Sequence, residues 1–149
     1  MSIEDKLGKL GLKLPTAPAP AGTYVGAKQV GKLVFSANQG PFRTTKRGFV
    51  GKDLTIEEAY QAARECCLNC LAQLKSVIGN LDRIKQVVEV RGFVNSAEGF
   101  TQQPAVMNGF TELLVELFGP ESGKPARGAL PAHIPGWMAV NAYMVVELN

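Results

Sequence analysis

One arginine stands where its type and neighbours could do recognition chemistry. Arg127 lies in Lys124-Pro125-Ala126-Arg127-Gly128-Ala129-Leu130, which opens a short apolar segment. Ile134-Pro135-Gly136-Trp137 then signals a turn, and Met138 to Leu148 reads as a closing strand. This reading puts the guanidinium at the mouth of an antiparallel strand pair, where its planar fork of donors matches a carboxylate in two places. Anion recognition is the first functional hypothesis, and a solvated strand-end arginine is the plain alternative. Tyr24, Asn95, Asn108, Asn141 and Tyr143 also put polar groups where apolar segments begin or run. Asn108 falls in a helical pattern, where asparagine is a poor former, and Asn141 in a strand pattern, where it is depleted. A capping or cross-strand hydrogen bond accounts for either as readily as a site does.

Other chemistries find less support. Cys66, Cys67 and Cys70 bring thiols together at helical spacing, but zinc wants four ligands and the sole histidine, His133, lies far along the chain. Small core fillers are the better reading of the three cysteines, and neither a Cys–His pair nor a serine triad has a supporting pattern. The glycines form no GxGxxG or Walker loop, and Glu57, Glu58 and Glu65 mark a solvated helix face.

The elements that would position these residues follow from periodicity. The chain has 149 residues, enough for one domain with a core and too few for two ordinary ones. Its 46% hydrophobic and 19% charged content excludes a disordered tail. A net charge of +3, spread without runs, gives no nucleic-acid arm. No apolar stretch would span a membrane, the N-terminus lacks the apolar core of a signal peptide, and the odd cysteine count argues against a disulfide framework, so a cytoplasmic setting is expected. Residues 1–21 read as a short N-terminal helix and a proline-rich connector, and 22–149 as a single domain. Strands are expected over Tyr24 to Gln29 and Lys32 to Ser36, hinged at Val30-Gly31. Gln39 to Gly48 reads as a loop or irregular strand. A helix capped by Thr55 with Glu58 runs to Gly79, a strand runs from Ile84 to Asn95, and a second helix from Glu98 to Phe118 ends at Gly119-Pro120. Two helices on one face of a mixed sheet is the natural packing, an α+β fold.

From Tyr24 onward the chain resembles the RidA/YjgF family, also called the endoribonuclease L-PSP family, in a longer-chain subgroup. The resemblance rests on Gly22-Thr23-Tyr24-Val25, Leu33-Val34-Phe35-Ser36-Ala37-Asn38-Gln39, Gly92-Phe93-Val94-Asn95-Ser96, Met107-Asn108-Gly109 and Pro125-Ala126-Arg127. It implies a chorismate-mutase-like fold, a mixed sheet carrying two long helices on one face, assembled as a barrel-like homotrimer with clefts between subunits. It further implies binding of small carboxylate metabolites and hydrolysis of reactive enamines and imines, such as 2-aminoacrylate, to 2-oxo acids and ammonia, with no metal and no cofactor. Arg127 matches the carboxylate-binding arginine, Tyr24 the cleft tyrosine and Asn108 the helix asparagine lining the site.

The chain departs from the family pattern at several of these positions. Ala37-Asn38 replaces a Ser-Gly pair, Ala129 replaces a cysteine, and, with one residue deleted between Arg127 and Pro135, Asn141 falls where the resemblance implies a glutamate that holds the attacking water. An amide positions water but cannot take its proton. Leu130-Pro131 is also expected to interrupt a strand that is continuous in relatives. Turnover is more exposed to these changes than is carboxylate binding, so a catalytically silent carboxylate-binding protein is the second reading. RNA cleavage ranks last, for want of a general acid–base pair and of a basic stripe with stacking aromatics.

Overall fold

The longest helical pattern becomes helix α2, Ile56–Ile78, in a computed structural model that describes residues 1–44 and 46–149. Thr55 and Glu58 cap it reciprocally: the Glu58 N–H donates to the Thr55 hydroxyl at 3.1 Å and the Thr55 N–H to the Glu58 carboxylate at 3.0 Å. Gly79, at φ 83°, ends it. Helix α1, Ile3–Lys9, is similarly capped by Ser2 and Asp5 and buries Ile3 and Leu7. The Ile3 N–H donates to Asp82 at 2.8 Å, so the N-terminal helix is stitched to the rest of the chain.

Strands β1 (Ala27–Val30), β2 (Leu33–Ser36), β3 (Ile84–Asn95), β4 (Ala126–Ala132) and β5 (Val140–Leu148) form one mixed sheet in the order β1-β2-β5-β3-β4. All neighbours are antiparallel except β3 and β4, which are parallel. Helix α3, Gln103–Gly123, makes the crossover between those two. Helices α2 and α3 pack against each other and together cover one face of the sheet. Their core with the sheet includes Val34, Val90, Val94, Val140, Ala142, Met144 and Val146 beneath Leu71, Leu74, Phe110, Leu113 and Leu114. Among the described residues no helix is long and apolar enough to cross a membrane.

The expected α+β architecture is present, with several elements displaced. The first strand begins at Ala27 and its turn is Gly31-Lys32, with Gly31 at φ 59°. Tyr24 therefore sits in the preceding loop, where the Ala21 N–H donates to its hydroxyl at 3.0 Å. Helix α3 starts at Gln103, because Gly99 takes a left-handed conformation (φ 80°) and Pro104 suits a first turn. Gly119 (φ 82°) kinks that helix, and Pro120 begins another short turn instead of stopping the chain.

Arg127 is not at the mouth of an antiparallel pair. The β4 strand pairs in parallel with β3, which lies between β4 and β5, because the helical crossover reverses the chain before β4 forms. Pro131 does not break β4 and stays in register with Val94. As β4 is an edge strand, a residue without an N–H is tolerated there.

Candidate functional site

Arg127 occupies the second position of β4, opposite Val90. Val90 is fully buried under the helices, so Arg127 projects on the helix side of the sheet edge and lies against α3. Its Nη1 donates to the Asn108 amide oxygen at 2.8 Å and to the Thr111 hydroxyl at 3.1 Å. Asn108 and Thr111 are three residues apart and share one face of α3. Gly109 lets that helix close on α2, since a Cβ there would strike the Tyr60 backbone carbonyl. Gly92 on β3 gives the Met107 side chain its room.

Both partners of Arg127 are neutral. No ion pair engages it among the described residues, and partial burial lowers its pKa from 12.5 without any compensating anion. The group remains charged at neutral pH, so a partly desolvated cation faces a crevice of about 310 Å³ lined also by Lys124, Pro125, Val115 and Glu112. A carboxylate placed there would meet the guanidinium donors that have no partner among the described residues.

The remaining candidates gather elsewhere. Tyr24, Ala37, Asn38 and Asn141 line a second cavity of about 690 Å³. The Asn38 amide donates to the Asn141 side-chain oxygen at 2.8 Å. Gln73 anchors this region from α2, its amide donating to the Pro18 carbonyl at 2.6 Å and to Gln39 at 3.2 Å. The Gln39 and Ala142 main chains bridge the loop after β2 to β5.

The two groups cannot meet within one chain. Arg127 pairs with Val90 and Asn141 with Phe93, three residues further along β3. Alternate residues of a strand face opposite sides, so an odd offset puts Arg127 on the helix side and Asn141 on the open side of the sheet. Arg127 and Asn108 are brought together; Tyr24, Ala37, Asn38 and Asn141 are brought together; the sets line separate cavities. Ala129 lines neither. It stands on the helix side opposite Gly92 and packs against the core.

Thr111 and Lys124, which residue type and spacing do not single out, also stand beside Arg127. Thr111 was legible as the residue one turn after Asn108, once Asn108 had a partner to face. Lys124 gave no periodic signal, because it lies in the link between α3 and β4. Asn95 has a structural role: it is buried, and its amide donates to the Gly48 carbonyl at 2.7 Å, holding the 39–55 loop. The three cysteines are fully buried on α2. Cys70 donates to the Ala142 carbonyl at 3.4 Å, and desolvation pushes its pKa from 9.0 to about 12. Desolvation likewise raises Cys66 and Cys67 well above the ordinary thiol value, which leaves inert thiols. His133 stacks edge-on against Phe49 and lines neither cavity.

A family model described as "YjgF/chorismate mutase-like, putative endoribonuclease" matches residues 4–148. Protein TCP17 of Trypanosoma cruzi is 40% identical over 151 residues, covering 99% of this chain and 94% of the relative. A crystal structure described as a "putative endoribonuclease" from Shewanella oneidensis MR-1 superposes with a TM-score of 0.94 at 32% identity, covering 99% of this chain and 100% of that one. A protein described as of unknown function from Agrobacterium tumefaciens gives a TM-score of 0.90 at 34% identity, over 99% of this chain and 92% of its own.

Proposed function

Because the chain belongs to the YjgF/chorismate mutase-like family, we propose that it binds small carboxylate metabolites in a cleft completed between copies of itself. There it hydrolyses reactive enamines and imines of the 2-aminoacrylate type to 2-oxo acids and ammonia. The observation that carries this reading is Arg127, a partly desolvated guanidinium held by two neutral oxygens and facing an open crevice. A desolvated cation without an internal anion is poised for an external one.

A homotrimer would supply the missing half of the cleft. The sheet face opposite the helices carries Leu33, Phe35 and Leu130, exposed by 37%, 40% and 45%. An uncovered apolar sheet face favours association. Copies joined through their sheets can bring the Asn38–Asn141 pair of one to the Arg127 crevice of another, which no single chain achieves.

In that cleft Arg127 would bind the ligand carboxylate and fix the imine carbon. Asn141 would hold a water against it. The water oxygen bonds to the imine carbon, the carbon–nitrogen bond breaks, and the water's protons pass to the nitrogen as it leaves as ammonia. Neither amide takes a proton, so transfer runs directly from water to nitrogen. Arg127→Ala is expected to weaken 2-oxobutyrate binding about a hundredfold in calorimetry and to abolish imine loss in a coupled amino-acid oxidase assay. Unchanged hydrolysis in that variant contradicts the proposal.

The Asn38–Asn141 pair itself favours a second reading, a protein that binds carboxylates without turning them over. Tight 2-oxo acid binding with no acceleration of imine loss selects it. RNA cleavage stands last, since Arg127 and the amide pair exchange no proton at neutral pH.

A further inference from the structure

We propose that the cavity beside Asn38 and Asn141 selects a bulky apolar side chain, so that the preferred ligands are 2-oxo acids with branched or aromatic side chains and the corresponding imines. This rests on the carboxylate-binding reading of Arg127 and adds the class of substituent. The cavity of about 690 Å³ is walled by Pro18, Pro20, Tyr24, Val25, Phe42 and Met138, and among the described residues no charged one lines it. A methyl or ethyl substituent would leave most of that space unfilled. Ligand sites of this size are characteristically apolar, with a few polar groups fixing orientation, and here those groups are the amides of Asn38, Gln39 and Asn141.

The wall is also set in advance. Its N-terminal side is the proline-rich connector, whose φ angles are restricted. Gln73 fixes the connector at the Pro18 carbonyl at 2.6 Å, and the Tyr24 hydroxyl fixes it at the Ala21 N–H at 3.0 Å. At Gly26 a Cβ would meet the end of the Gln73 side chain, which would have to shift. Val25 and Phe42 stay 57% and 47% exposed, apolar surface that a ligand side chain would cover. A charged substituent would lose its hydration and find no partner, so dicarboxylates are excluded from this pocket.

Calorimetric titration of the full chain with 2-oxobutyrate, 4-methyl-2-oxopentanoate and 2-oxoglutarate tests this. Each buried methylene tightens binding about fourfold, so the branched acid is expected to bind at least about tenfold tighter than 2-oxobutyrate, with 2-oxoglutarate weakest. Val25→Trp, which fills the pocket from an exposed position, is expected to erase that preference. Equal affinity for the branched acid and 2-oxobutyrate overturns the side-chain assignment while leaving carboxylate binding intact. Failure of all three acids to bind overturns both.

Discussion

Arg127 is a partly buried arginine held by neutral groups alone. Its anchors, Asn108 and Thr111, orient the guanidinium without neutralising it, which distinguishes it from Arg64, paired with Glu116 at 3.1 Å, and Arg91, paired with Glu89 at 2.7 Å. Asn108→Asp is the sharpest probe of this difference. It changes one atom type where an oxygen already lies 2.8 Å from Nη1 and puts a carboxylate directly against the guanidinium, where the native partner is a neutral amide. Carboxylate affinity is expected to fall at least about tenfold with the thermal midpoint unchanged or raised; unaltered affinity would mean that the guanidinium is not the anchor. Residue types exposed Arg127, Asn108 and Asn141 as unusual within the sequence. What they could not supply was a partner for each, since the Arg127 contact spans a crossover and the Asn38–Asn141 bond joins segments from opposite ends of the chain.

The helices set the spacing on which that contact depends. Gly109 follows Asn108 and seats α3 against the Tyr60 carbonyl of α2, with no space for a methyl group. Gly109→Ala is expected to cost about 1–3 kcal/mol in urea denaturation, and a neutral effect would mean that the helices separate freely. The cysteine face of α2 makes a pH-dependent contribution. Burial raises all three thiols, so the folded chain keeps protons that the unfolded chain releases near pH 9. Stability from this source is complete below that point and falls as pH rises toward about 12, the folded value of Cys70. Urea midpoints are expected to drop from pH 9 upward, less steeply in Cys70→Ala; a flat profile would contradict buried thiols. Capping boxes and apolar period made α1 and α2 legible from sequence. The pairing of β4 was not, because strand order is a nonlocal property that alternation along one strand does not encode. The false start assigned to α3 has a local cause, the left-handed Gly99 and the turn that follows it.

At the scale of the molecule, the candidate residues of one chain line two separate cavities. Strand parity sends Arg127 and Asn141 to opposite sides of one sheet, and the open side carries exposed Leu33, Phe35 and Leu130. A trimer would be expected to run in solution at three times the 16.0 kDa chain mass, as read by light scattering. Gln73 and the connector extend the second cavity with surface contributed from residues before Ala21, so the N-terminal segment walls that cavity as well as packing on the fold. The most direct measurement is a crystal structure of the full chain with 2-oxobutyrate. Its carboxylate is expected within about 3 Å of the Arg127 guanidinium, with Tyr24 and Asn141 of a neighbouring copy enclosing the carbonyl carbon. A ligand bound away from Arg127, or held by residues of one chain alone, would contradict this.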